Sequence, residues 1–243
     1  MKSTEMTFGC FWSSRSERAS ECAHKVFSFI KQIESYPGCS AWYFKVWNEK
    51  NINRAISFNM YSLEEMALYI EKSINRDDTV FHNPIPSLGY RINLFNDDNY
   101  LESKLSISVG IYSDNLLNRI ILKISENNPI LTDLQQSVAM LNTMVDCWNP
   151  DWAGLYTREA VEKKHLNKIG PENPFLGKIL YLNPSVYSRK RVKVLRTIDH
   201  LKINRKIYYI LDSNLLGPLK ENDPLYKAIW AIPRKKSYTS HFW

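Results

Sequence analysis

Hydrophobic and polar positions along the chain switch between two periods, and the switches predict its elements. Phe8, Gly9, Cys10, Phe11 and Trp12 form a short aromatic run suited to a half-buried pleated surface, so a strand is expected there. Ala19, Cys22, Ala23, Val26, Phe27, Ile30 and Ile33 then recur at helical spacing and make one apolar stripe. Ser14 and Glu17 read as a capping box opening this helix, and Tyr36-Pro37-Gly38 closes it. Strands are expected at Ala41 to Val46 and Ile56 to Phe58, followed by a second helix capped by Ser62 and Glu65 with Met66, Ala67 and Ile70 inward. Arg76 to Leu88 holds Asp77-Asp78 and two prolines, Pro84 and Pro86, which makes it a loop.

Strict alternation follows. Tyr90, Ile92 and Leu94 alternate with Arg91 and Asn93, and Asn96 to Asn99 reads as a turn. Leu105, Ile107, Val109 and Ile111 alternate with Ser106, Ser108 and Gly110, and Arg119 to Ile124 supplies a third strand. These predict an antiparallel meander with one polar face. Thr132 to Gln135 form a third capping box, opening a helix that buries Leu134, Val138, Leu141, Val145 and Trp148. Beyond it, strands are expected at Trp152 to Tyr156, Lys178 to Leu182, Arg191 to Leu195 and Lys206 to Leu211. Helices are expected from Thr157 to His165 and from Asp223-Pro224 through Ala231. The resulting fold class is α+β, a mostly antiparallel sheet with helices packed on one face. One domain is expected over residues 1–243, with strand-then-helix order recurring in two halves, about 1–100 and 101–243.

The run Phe8-Gly9-Cys10-Phe11-Trp12, followed by Arg15, Glu17, Glu21-Cys22-Ala23, and later Trp42-Tyr43 with Lys45, resembles the opening of the immunity protein 52 family. The stretches Gly89 to Phe95, Gly110 to Ser113, Cys147 to Ala153, Gly177 to Leu182 and Asp223-Pro224 appear in the same order as in that family. The chain departs from the pattern at Lys178, where a Trp would follow the glycine. The resemblance implies an antitoxin of bacterial polymorphic toxin and type VI secretion loci. Such a protein binds and neutralises a cognate toxin encoded by the adjacent gene, typically a nuclease of the restriction-endonuclease type. It also implies structural roles for Phe8, Gly9, Cys10, Phe11, Trp12, Arg15, Glu17 and Glu21.

Composition narrows the field further. Hydrophobic residues make up 44% and charged residues 23% of 243, the balance of an ordinary globular protein. Cys10, Cys22, Cys39 and Cys147 lack CxxC spacing and read as reduced, buried thiols. The opening residues carry an acid and no apolar core, so no secretory leader is expected, the location is cytoplasmic, and no membrane partner is implied. Catalytic patterns are missing: the five histidines are scattered without HExxH or metal-ligand spacing, and there is no phosphate-binding glycine loop or nucleophile elbow. No catalytic residue, metal or cofactor is therefore assigned. Glu17 and Glu21 could form an acid/base pair, but Arg18 and Lys25 nearby favour ion pairs on a helix face.

The formal charge of +7 is concentrated between Arg189 and Lys206, where eight cations face only Asp199. That stretch is either a solvated edge or a binding face for nucleic acid or an acidic protein. It carries no nucleic-acid-binding motif, so direct nucleic-acid binding is not expected and the module remains an alternative. Residues expected to meet a toxin are Asp77, Asp78, Asp97 and Asp98 in loops, where acids could face a nuclease's basic groove, with Trp152 and Tyr156 as aromatic anchors.

Overall fold

The structure, a computed structural model, describes residues 5–46, 54–96, 103–113, 116–157, 177–187 and 198–213. Its strands are β1 (Glu5–Trp12), β2 (Tyr43–Val46), β3 (Arg54–Ser57), β4 (Tyr90–Asn96), β5 (Ser103–Val109), β6 (Asn118–Ser125), β7 (Trp152–Thr157), β8 (Ile179–Leu182), β9 (His200–Ile203) and β10 (Lys206–Ile210). The α-helices among the described residues are α1 (Ala19–Ile33), α2 (Leu63–Lys72) and α3 (Leu134–Trp148). All ten strands join one sheet in the order β3-β2-β4-β5-β6-β1-β7-β8-β10-β9, and every neighbouring pair is antiparallel. The chain is thus α+β, and one sheet runs through both halves of the sequence.

The period of two explains which face is which. Met6, Phe8, Cys10 and Trp12 of β1, Ile92 and Leu94 of β4, and Ile120, Leu122 and Ile124 of β6 all point to the helical side. There they meet Val26, Phe29 and Ile30 of α1, Met66 and Ile70 of α2, and Leu141, Val145 and Trp148 of α3. Trp148 stacks on Trp12 at 5.8 Å and takes the Phe29 edge at 6.0 Å, so the three-way junction of β1, α1 and α3 is aromatic. Cys10, Cys22 and Cys39 are buried as expected, whereas Cys147 is only half-buried. All four thiols are free, and burial pushes those of Cys22 and Cys39 up to about 12.

Two helix starts differ from the expected ones. α1 begins after Arg18, not at Ser14, and Glu21 reaches back to accept from the Arg18 N–H at 2.8 Å. Glu17 is consequently not a cap partner. It is buried, and its Oε1 accepts from Lys25 Nζ with Arg15 3.9 Å away. Arg15 is drawn off too, donating to the Trp148 and Asn149 carbonyls at 3.1 Å each at the end of α3. Carbonyls more than a hundred residues away for Arg15, and Lys25 two turns into α1 for Glu17, therefore override the local cap. In α3 the cap is Asp133, which accepts from Gln135 N at 2.8 Å, while the Thr132 hydroxyl donates to Pro129 O. α2 keeps the expected box, with Glu65 accepting from Ser62 N at 2.8 Å and Ser62 Oγ from Glu65 N at 3.2 Å.

Beyond the meander, β8 and β10 were expected, and β9 was not. β9 joins β10 through Asn204-Arg205, both in the left-handed region at φ 47° and 67°, the backbone of a two-residue hairpin turn. Thr157, expected to cap a helix, is the last residue of β7, and the rest of that helix at 158–165, the expected helix at 223–231 and the expected strand at 191–195 lie outside the described residues.

Candidate functional site

On the sheet's other side, facing away from α1–α3, the two ends differ. Phe11, Trp152, Tyr156, Leu180, Leu182 and Tyr187 form a second buried cluster over β1, β7 and β8, with Phe11 stacked on Trp152 at 4.0 Å. Gly9 and Gly154 are paired across β1 and β7, and a Cβ on Gly154 would come within 2.6 Å of the Tyr156 hydroxyl. The two glycines leave the flat spot on which Tyr156 and Phe11 lie, which accounts for Gly9 in the aromatic run. Trp152 and Tyr156, expected as partner anchors, are 0% and 2% exposed. This corrects the expectation: as folded, neither ring is available to a partner, because even-numbered residues of β7 point into this second cluster.

Over β4, β5 and β6 the same side carries cations. Arg91 and Arg119 stand in one row with Ser108 between them, and Lys104 and Lys123 in another. Glu5 balances the second row, 3.7 Å from Lys104 and 3.6 Å from Lys123. A shallow groove of about 360 Å³ runs between them, lined by Arg91, Asn93, Phe95, Ser106 and Ile121 among others. Desolvation and then the like charge of Arg91 lower the pKa of Arg119, although the residue is exposed overall. No acid pairs with either arginine among the described residues.

At the end of the sheet where β4 starts and β5 finishes, the acidic loop is built as an extension. Gly89 has φ 60°, and a Cβ there would stand 2.2 Å from Val109 O, so only glycine lets the loop leave β4 beside β5. Asn75 N donates to Gly89 O and Ile85 N to Asn75 O, and Arg76 bridges Pro84, which makes a two-stranded neck. Asp77 closes it. Its Oδ1 accepts from the Thr79 hydroxyl at 2.6 Å and from Asn83 N at 2.9 Å, and its N–H donates to Asn83 O at 2.9 Å. The Thr79 bond, then those from Asn83, hold the Asp77 carboxyl below its ordinary value. Asp78 is exposed beside it. Asp77 is thus employed within the loop, and what the loop presents is Val80 and Phe81, 91% and 84% exposed at the centre of a turn closed by His82 N donating to Thr79 O. Asp97 and Asp98 lie outside the described residues.

The expected basic stretch is described only from 198 onward. There Lys202, Arg205 and Lys206 border a cavity of about 680 Å³ with Tyr181, Tyr187 and Tyr209, and Lys206 is paired with Asp146. No cluster of His, Cys, Asp and Glu able to hold a metal occurs among the described residues. No described helix is long and apolar enough to cross a membrane.

The sequence profile described as Immunity protein 52 matches residues 5–194. The chain belongs to the immunity protein 52 family. No curated protein matches the chain. Among solved structures, the Pseudomonas aeruginosa T6SS protein PA0821 is similar at 9% identity with a TM-score of 0.48, covering 94% of this chain and 73% of that one, a likeness too distant to carry an argument. Family membership supports an immunity role, and the residues that led to it have structural positions here: Phe8, Cys10 and Trp12 in the core, Phe11 in the second cluster with Gly9 beneath it, and Arg15, Glu17 and Glu21 at the start of α1. Lys178, the departure from the family's pattern, is fully buried and pairs with Asp212 at 2.7 Å.

What the sequence missed is the exposed apolar pair. Its signal was there, since Val80-Phe81 is the one apolar pair between Asp77 and Pro84, but only the loop's geometry turns it outward.

Proposed function

We propose that the chain is an antitoxin, acting in the cytoplasm as a single domain, that binds a cognate toxin encoded by the adjacent gene in a stoichiometric complex and thereby silences it. The toxin is a nuclease of the restriction-endonuclease type, and the chain itself performs no chemistry. The observation that carries this reading is membership of the immunity protein 52 family over residues 5–194. Geometry adds one constraint on mode. The open side of the sheet is basic at Arg91, Lys104, Arg119 and Lys123, so it cannot mimic DNA in a nuclease's basic cleft. Co-purification with the toxin and a cleavage assay with and without the chain test this. A one-to-one complex that no longer cuts is expected, whereas undiminished cleavage at saturating chain would sink the proposal.

A second reading has its own observation: the cavity that brings Lys202 and Arg205 beside Tyr181 and Tyr209, the pairing of cations with stacking surfaces that single-stranded nucleic acid uses. It requires retention on nucleic acid that falls steeply as salt rises.

A further inference from the structure

Of the large apolar side chains left exposed among the described residues, Val80, Phe81, Tyr112 and Leu116 sit in connections at one end of the sheet, and Leu68 stands apart on α2. Tyr112 N donates to Ser87 O, which places Tyr112 at the foot of the loop that holds Val80 and Phe81. Leu116 follows in the same β5–β6 connection, its N–H donating to Ser113 O. Arg91 and Arg119 flank this end on the open side of the sheet, with no acid opposite them among the described residues.

Resting on the antitoxin reading above, we infer that this end is the toxin-docking edge: Val80 and Phe81 enter an apolar pocket of the toxin, and Arg91 and Arg119 meet carboxylates beside that pocket. Three features support it. The loop is already cross-braced by Asp77, Thr79 and Asn83, so ordering it on binding costs little. Exposed apolar groups gathered at one edge beside charged ones are the make-up of an interface centre and its rim. The unbalanced arginines call for an acidic partner surface. A nuclease offers such a surface away from its phosphate-binding cleft, so docking here favours a site outside that cleft. Anionic lipid is the less suitable occupant, because Asp78 stands exposed beside the apolar tip.

The test uses the whole chain and the adjacent-gene toxin carrying an inactivating point substitution, with affinity read by titration calorimetry. Val80→Ser with Phe81→Ser should weaken binding by at least about thirtyfold, the mark of a hot spot. Arg91→Glu with Arg119→Glu should weaken it by about tenfold or more, and Leu68→Ser, an exposed apolar control on α2, should leave it unchanged. The thermal transition of each variant shows that it folds. If the wild type binds and the double serine variant binds as tightly, the docking edge is wrong while the antitoxin reading stands. If the wild type does not bind, the antitoxin reading falls and this inference with it. Pelleting of the wild type with phosphatidylglycerol vesicles, or a dimer in ultracentrifugation, that the serine variant abolishes without changing toxin affinity would assign the edge to lipid or to a second copy instead.

Discussion

The segments Asp77 to His82 and Asp151 to Tyr156 both set aromatic side chains next to an aspartate, and the fold turns them in opposite directions. Each aspartate is a brace. Asp77 accepts from Thr79 and Asn83, and Asp151 Oδ2 accepts from Ser13 N at 2.9 Å. What differs is the neighbour on either side. Trp152 is registered with Phe11 on β1 and Leu182 on β8, so its ring is closed over from both strands, whereas Val80 and Phe81 project from a turn that pairs with no strand among the described residues. Aromatic content is thus the same signal in both places, and the presence of flanking strands decides whether it becomes core or contact surface.

That contrast can be broken by substitution. The largest effect is expected at Trp152→Ala, which empties a fully buried site stacked on Phe11 and should cost about 3–5 kcal/mol in denaturant unfolding. A loss under about 1 kcal/mol would mean that the second cluster is loosely packed. Next comes Lys178→Ala, which removes the buried cation 2.7 Å from the Asp212 carboxylate and should cost about 3 kcal/mol or more. Lys178→Met with Asp212→Leu should recover much of that, since an apolar pair needs no counter-charge.

Acid should act locally on the loop. The Asp77 carboxyl is held below its ordinary value in the fold, so its bonds stabilise the loop above the unfolded pKa of about 4 and are lost as pH falls through the lower, folded value. Amide exchange at Thr79 and Asn83 should therefore speed up in acid relative to that in β1, with a small accompanying loss of global stability. Uniform protection through that range would show that Asp77 is not the brace. The smallest effect is expected at Phe81→Ser: stability should change by no more than about 0.5 kcal/mol, because the ring is 84% exposed. A larger loss would mean that Phe81 packs against the protein and has been misread as contact surface.

Much of this architecture was legible in the chain. The alternation in β4, β5 and β6 forecast both the antiparallel meander and its polar side, because a period of two leaves a strand little choice of faces once one side is apolar. The Ser62–Glu65 cap was legible for a similar reason, since all its partners lie within three residues. Ser14–Glu17 failed by the same rule: Glu17 finds Lys25, and Arg15 finds carbonyls more than a hundred residues away. β9 was missed although Leu201 and Ile203 alternate with His200 and Lys202 and pack against the core, because a run of four residues is too short for its period to stand out from a loop. Of the candidate site, the loop was legible as a loop and Asp77-Asp78 as its acids. That Asp77 serves the loop and that Val80 and Phe81 serve its surface was not.

By itself, then, the sequence determined what depends on spacing: the strand and helix types, the α+β class, the reduced thiols, the concentration of positive charge and the resemblance that the family profile bears out. Only the tertiary structure decided which of two aromatic segments lies inside, where Arg15 and Glu17 find their partners, and that Arg91 and Arg119 share an end of the sheet with an exposed apolar turn. Those outcomes depend on strand register and on contacts between residues far apart in the chain, and local periodicity carries no information about either.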